Sequence, residues 1–69
     1  MAQNLGIQGK VKFFNSIKGY GFLTSNEDHK EYFFHTTNVL GEKPKGEDLV
    51  SFQLIQDKRG IKAIDVKKI

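Results

Sequence analysis

Apolar residues occur along this chain in short runs that polar residues and glycines separate. Five runs are rich in aromatic and β-branched residues, which favours strands, and no window shows the 3.6-residue apolar period of a helix. Closure removes the exposed edges of a small sheet, so five strands at this spacing predict an all-β protein, a five-stranded antiparallel barrel. The five runs cover residues 10–14, 20–23, 32–35, 49–55 and 61–66.

Alternation within each run assigns its side chains to two faces. Val50, Phe52 and Leu54 alternate with polar residues, so we expect Phe52 in the core. If the inward side chains of the second and third runs are those of Leu23, Tyr32 and Phe34, four side chains point outward together. These four are Tyr20, Phe22, Phe33 and His35. In the first run, Phe13 and Phe14 are adjacent and face opposite sides unless a bulge or bend intervenes, so alternation alone does not assign them.

Length and composition limit the possible classes of protein. The 69 residues correspond to one domain, 1–69, with a thin core. There is no cysteine, so disulfides and cysteine-based zinc sites are excluded, which suits a reducing cytoplasm. Residues 1–6 have no signal-peptide pattern, and no run of 18 apolar residues occurs. We therefore expect a cytoplasmic monomer with no membrane association, cofactor, metal or small-molecule substrate.

The net charge of +3 is unevenly distributed. Residues 1–25 carry three lysines and no acid, residues 26–48 carry six acids and three lysines, and residues 49–69 carry five basic residues and two acids. Two basic ends around an acidic middle are compatible with one surface that binds a polyanion. Ordinary solvated lysines would produce the same distribution, so charge alone does not decide between these interpretations.

The distribution of aromatic residues is more informative. Seven of the eight lie between Phe13 and Phe34, interleaved with Lys12, Lys18 and Lys30. An outward aromatic patch lowers solubility unless something covers it. Unpaired bases can stack on such rings while lysines meet the phosphates, whereas a duplex hides its base faces. The pattern therefore favours binding of single-stranded RNA or single-stranded DNA.

Several motifs together resemble one known family. Residues 18–23 read KGYGFL, which matches the start of the RNP1 pattern with Leu in place of Val. With GKVKFFN at 9–15, YFFH at 32–35 and the late Arg59-Gly60, the chain from about residue 8 to 66 resembles the cold shock domain of bacterial cold shock proteins. The resemblance implies an OB-fold-like barrel that binds single strands, acts as an RNA chaperone and regulates transcription or translation, often in the cold.

The resemblance also implies a binding face, and it places Phe13 outward. Four residues of this face, Tyr20, Phe22, Phe33 and His35, are grouped by alternation independently of the family resemblance. By motif position the face comprises Lys12, Phe13, Asn15, Lys18, Tyr20, Phe22, Phe33 and His35, with Lys58 and Arg59 at its edge. Phe14, Phe34 and Phe52 are then expected in the core.

Three features depart from the family pattern. The family commonly has Trp where this chain has Phe13, and an aromatic residue where it has Thr36. The segment 39–48 is shorter than usual and lacks an aromatic that many members place there. We therefore expect fewer stacking positions at one end of the surface, with the RNP1 centre retained.

Other functional classes fit less well. His29 and His35 have no cysteine or matched carboxylate pair, and so small a barrel offers little concavity for catalysis, so we do not expect an enzyme. An RNA recognition motif needs two helices and an RNP2 strand before RNP1, which this chain lacks. A small β-barrel that binds proteins, such as one reading proline-rich peptides, is the remaining alternative, although basic rather than acidic residues flank the aromatics.

Overall fold

The computed structural model describes residues 6–69, which form five strands closed into a barrel. Residues 1–5 of the predicted domain lie outside the described residues. Each predicted strand is present and extends beyond the predicted run. The strands are β1 (Ile7–Asn15), β2 (Tyr20–Ser25), β3 (Glu31–His35), β4 (Leu49–Asp57) and β5 (Gly60–Lys68), with a single 3₁₀ turn at Thr36–Asn38 after β3. Within residues 6–69 no helix is long and apolar enough to cross a membrane.

The strands follow the order β1-β2-β3-β5-β4 around the barrel, and β4 pairs with β1 to close it. The prediction of an antiparallel barrel is wrong for one pair: β3 and β5 are parallel, in register at Phe33 and Lys62, whereas the other four pairs are antiparallel. The reason is geometric. In a closed ring of five strands the directions cannot alternate throughout, so at least one neighbouring pair must run parallel.

The core lies inside the barrel and contains side chains from all five strands. Phe34, Phe52 and Leu23 are buried as predicted, and the half-buried Phe14 and Tyr32 pack against them. The rings of Phe14 and Phe34 stack with centroids 5.6 Å apart and planes 9° apart. The buried hydrophobic residues are Val11, Leu23, Phe34, Val50, Phe52, Ala63 and Val66.

A bulge in β1 assigns the two adjacent phenylalanines. The register with β2 shifts between Val11 and Phe13, so that Phe13 turns outward and Phe14 packs on the core. At the bulge the backbone of Val11 bonds to the loop before β4: its N–H donates to the carbonyl of Asp48 (2.9 Å), and its carbonyl accepts from the N–H of Glu47 (2.8 Å). These two bonds attach the loop before β4 to β1 next to the bulge.

Candidate nucleic-acid interface

Strand register places the outward aromatic side chains in two rows across β1, β2 and β3. Phe13 pairs with Phe22, which pairs with Phe33. The adjacent row contains Asn15, Tyr20 and His35 in the same order. Outward residues two apart on one strand belong to neighbouring rows, which is why the alternation of β2 and β3 predicted this grouping.

Four of these rings contact one another. The centroid of Phe22 lies 5.6 Å from that of Phe13, 5.9 Å from that of Phe33 and 6.3 Å from that of Tyr20. Phe13 and Phe33 remain 40% and 37% exposed, whereas Tyr20 and Phe22 are half-buried. Three of the ring contacts are edge-on and one is tilted, whereas Tyr20 and Phe33 stack, so the faces that these contacts leave uncovered are available to a base.

Two glycines allow this arrangement on β2. Gly21 faces the core between Tyr20 and Phe22, and a Cβ atom there would lie 2.4 Å from the carbonyl oxygen of Phe13. Glycine at this position therefore permits β1 and β2 to approach closely behind the rings. Gly19 has a φ of +77°, and its left-handed conformation ends the turn before β2. Both glycines serve backbone geometry.

The polar residues predicted for the face have different surroundings. Lys12 is exposed, but its Nζ lies 2.7 Å from Oε2 of Glu31 in an ion pair. The Oδ1 of Asn15 accepts from the backbone N–H groups of Ile17 (3.0 Å) and Lys18 (2.9 Å), so this side chain orders the β1–β2 turn. Lys18 is exposed and makes no ion pair within residues 6–69.

His35 lies at the end of the second row and caps the 3₁₀ turn. Its Nδ1 accepts from the backbone N–H of Thr37 (3.2 Å) and lies 3.0 Å from the hydroxyl of that residue. A backbone N–H can only donate, so this hydrogen bond favours the ring tautomer that carries its hydrogen on Nε2. The backbone N–H of Thr36 donates to the carbonyl of Gly19 (2.8 Å), which ties the turn after β3 to the turn before β2.

The β4–β5 turn supplies the edge of the surface. Lys58 and Arg59 are exposed there, and Arg59 borders a shallow groove of about 390 Å³ next to the ring of Phe33. The carboxylate of Asp57 accepts from the backbone N–H of Arg59 (2.9 Å), and this hydrogen bond lowers the pKa of the carboxyl. The groove is lined by Phe33, Asp57, Arg59, Gly60, Ile61 and Lys62.

Lys62 is a candidate that the sequence analysis missed. It pairs with Phe33 across the parallel β3–β5 seam and therefore continues the first aromatic row. Its Nζ lies 3.4 Å from the carboxylate of Asp57. Only the strand order reveals this position, because residues 33 and 62 are far apart in the chain.

The β2–β3 turn is held by a side-chain hydrogen bond. The hydroxyl of Tyr32 donates to Oδ2 of Asp28 at 2.6 Å, which lowers the pKa of the carboxyl and raises the pKa of the phenol. Asp28 also accepts from the backbone N–H of Lys30 (3.0 Å). These bonds order the turn that connects β2 and β3.

No group of three or more acidic or histidine side chains in the described part of the chain is placed to hold a metal ion.

Comparisons with known proteins agree with this architecture. The model of the "cold-shock" DNA-binding domain matches residues 7–69. Cold shock protein CspB of Bacillus caldolyticus is 42% identical over 66 residues, covering 90% of this chain and 97% of that protein. Cold shock-like protein CspC of Escherichia coli (strain K12) is 34% identical over 67 residues, covering 91% of this chain and 96% of that protein.

A solved structure described as Drosophila Unr CSD456 superposes with a TM-score of 0.77 at 31% identity. The match covers 91% of this chain and 26% of that longer chain. Fold, aromatic rows and sequence relatives lead to the same assignment: this chain belongs to the cold-shock DNA-binding domain family, a family of nucleic-acid-binding proteins.

Proposed function

We propose that this protein binds unpaired strands of RNA or DNA by stacking their bases on the two aromatic rows. The contact network of Phe13, Tyr20, Phe22 and Phe33 is the observation that carries the proposal. Rings held in place by their neighbours present uncovered faces that suit successive bases, and stacking of this kind contributes about 1–3 kcal/mol per base. Paired bases cannot offer the same faces, so unpaired strands are the expected ligand.

The polar residues have separate roles in this proposal. Lys18, Lys58 and Arg59 are exposed, make no ion pair within residues 6–69, and neutralise phosphates at the two ends of the surface. His35 stacks on or hydrogen-bonds a base. Asn15 acts through the turn that it orders. Lys12 contacts a ligand group only when its ion pair with Glu31 opens or when the ligand shares its ammonium group with Glu31.

Stacking without base-pair readout suits an RNA chaperone. A protein that holds bases unpaired with little sequence preference lowers the population of competing RNA structures. Control of transcription or translation follows when such structures lie in a transcript, and the effect is greatest in the cold, where base pairing is most stable. The protein acts as a monomer in this proposal, because one chain carries both rows.

A barrel that binds proteins is the second candidate. The exposed rings of Phe13 and Phe33 would also accept a proline-rich peptide, which docks between aromatic side chains. Such a ligand carries no phosphates. The basic side chains of Lys18, Lys58 and Arg59, which make no ion pair within residues 6–69, therefore favour nucleic acid.

An NMR titration with an unstructured heptanucleotide tests the proposal. Amide shifts are expected from Lys12 through His35 and in the β4–β5 turn, with β4 residues such as Ser51 unchanged. The same strand annealed to its complement serves as the matched control and should produce much smaller shifts. Absence of shifts with the single strand, together with shifts from a proline-rich peptide, would favour the protein-binding alternative.

A further inference from the structure

Ile17 is the most exposed large apolar side chain in the described part of the chain. Its accessible fraction is 94%, against 40% for Phe13. The residue lies in the turn between β1 and β2, where it contributes nothing to the core. Folding therefore does not require an apolar side chain at this position.

The turn that carries Ile17 is ordered by hydrogen bonds. Its own N–H and that of Lys18 donate to Oδ1 of Asn15 at 3.0 and 2.9 Å. The N–H of Gly19 donates to the carbonyl of Asn15 at 2.7 Å, and Gly19 adopts a left-handed φ of +77°. Because this backbone is already ordered, a contact made by the side chain costs little further backbone entropy.

The same turn is continuous with the second aromatic row. Asn15 pairs with Tyr20, which pairs with His35, and the turn spans the end of β1 and the start of β2. The carbonyl of Gly19 accepts from the N–H of Thr36 at 2.8 Å. Ile17 thus lies beyond the end of the stacking surface, where Thr36 offers no ring.

We propose that Ile17 packs against the terminal base pair of a duplex where the bound single strand becomes double-stranded. This inference rests on the proposed function. Isoleucine is one of the apolar side chains that proteins insert at base steps. Its contact with the terminal base pair offsets part of the cost of unstacking the adjacent tail base from that pair. An unpaired base stacks better on a ring, whereas an aliphatic group covers the flat, apolar face of a base pair.

The neighbouring charge supports this occupant. Lys18 follows Ile17 directly, is exposed and forms no ion pair within residues 6–69. A junction has two backbones close together and therefore a higher density of phosphates than a single strand. The apolar and cationic side chains of one turn match the base-pair face and the phosphates of such a junction.

The test compares Ile17→Ser with Leu49→Ser, a control that removes another apolar side chain, 54% exposed, at the start of β4. Each protein is titrated with an oligothymidine tail alone and with the same tail joined to a hairpin stem at its 5′ or its 3′ end. The first base pair of the stem contains 2-aminopurine, whose fluorescence rises on unstacking.

Ile17→Ser is expected to bind the tail alone as the unchanged protein does, and to bind at least one tailed hairpin roughly three- to tenfold more weakly, a partial loss of one stacking contact. Its fluorescence rise on that hairpin should also be reduced, while Leu49→Ser matches the unchanged protein. Equal losses on tail and hairpins, or no loss on either, would overturn the inference alone. Failure of the unchanged protein to bind the tail would overturn the proposed function as well.

Discussion

The rings of Tyr20 and Phe33 stack diagonally across β2 and β3, with centroids 5.9 Å apart and planes 23° apart. Each ring therefore covers part of the other, and the remaining faces are those that a base can reach. The pair also connects the two rows, because Phe33 belongs to the first row and Tyr20 to the second. A substitution in either ring should affect stacking in both rows.

Truncation of Phe33 should weaken binding more than it weakens the fold. Phe33 is 37% exposed, so Phe33→Ala is expected to cost about 1–3 kcal/mol of binding free energy, the contribution of one base–ring contact. Phe52→Ala is the matched control, because that ring is 1% exposed, and it should cost about 3–5 kcal/mol of unfolding free energy. Calorimetric titration and urea unfolding measure the two quantities, and exchange of the two outcomes would invert the assignment of faces.

Truncation of Phe22 should affect both binding and stability. Phe22 is half-buried and contacts the rings of Phe13, Tyr20 and Phe33. Phe22→Ala is expected to cost about 1–3 kcal/mol of binding free energy. Lost ring pairs, each worth about 0.5–1.5 kcal/mol, should also lower its unfolding free energy more than Phe33→Ala does. A variant that unfolds while Phe33→Ala binds normally would contradict the proposed surface.

Binding should weaken only moderately as salt increases. Lys12 and Lys62 are in ion pairs, whereas Lys18, Lys58 and Arg59 make none within residues 6–69. Three neutralised phosphates at about −0.7 each predict a slope of log K against log[salt] near −2, within a range of about −1.5 to −3. Titrations of an oligothymidine at several salt concentrations measure this slope. A flat response would exclude phosphate contacts.

Introduction of a ring at position 36 should lengthen the stacking surface. Thr36 is half-buried, and its Cγ2 would lie 3.2 Å from a Cβ placed on Gly19, next to the second row. Thr36→Phe is expected to tighten binding by up to about 1–3 kcal/mol, and only for oligonucleotides long enough to reach the new ring. Thr36→Val, which adds no ring, is the control. Titration against a length series of oligo-dT checks the threshold, and equal gains at every length would indicate better surface packing instead.

Stability should depend on pH through Asp28 and Tyr32. The hydrogen bond from Tyr32 lowers the pKa of Asp28 in the folded state. The stability that this bond contributes is therefore complete above the unfolded pKa near 3.9, and it is lost as pH falls through the lower, folded pKa. The same bond raises the pKa of Tyr32, so its contribution is complete below about 10 and is lost as pH rises through the folded pKa.

The variant Tyr32→Phe isolates this hydrogen bond. Thermal unfolding midpoints of the variant should fall less steeply than those of the unchanged protein in both pH ranges. Asp28→Asn should also reduce the pH dependence of the unfolding midpoint in the acidic range. Combined with Tyr32→Phe in a double variant, it should change that dependence little further. Identical pH profiles for Tyr32→Phe and the unchanged protein would show that the bond contributes no pH dependence.

Gly21 should tolerate no side chain. A Cβ there would lie 2.4 Å from the carbonyl of Phe13 and 3.0 Å from Cζ of Phe34, so Gly21→Ala forces β1 and β2 apart behind the rings. We expect a loss of about 1–3 kcal/mol of unfolding free energy, as for other overpacked sites. Gly46→Ala is the control, because its Cβ would be 3.4 Å from the nearest atom. Urea unfolding compares the two, and equal losses would contradict the close approach at Gly21.

Alternation predicted the strands and the outward grouping on β2 and β3 because those strands are regular. It could not assign Phe13 and Phe14, since the bulge between Val11 and Phe13 is a shift in the register with β2, which the residue pattern of one strand does not contain. Lys62 was missed for a similar reason, because its place beside Phe33 follows from strand order. The parallel pair could have been expected, since an odd closed ring requires one.

That parallel pair also bears on how the chain folds. The meander of β1, β2 and β3 and the hairpin of β4 and β5 form from neighbouring residues. Joining them requires pairing of residues 7–10 with 49–52, and of Phe33 with Lys62, across long loops whose closure entropy slows folding. The β3–β5 seam has a single register pair, so we expect it to open first, and its amides to exchange faster than those of β4. A ligand that spans Phe33 and Lys62 would hold that seam closed and slow the exchange.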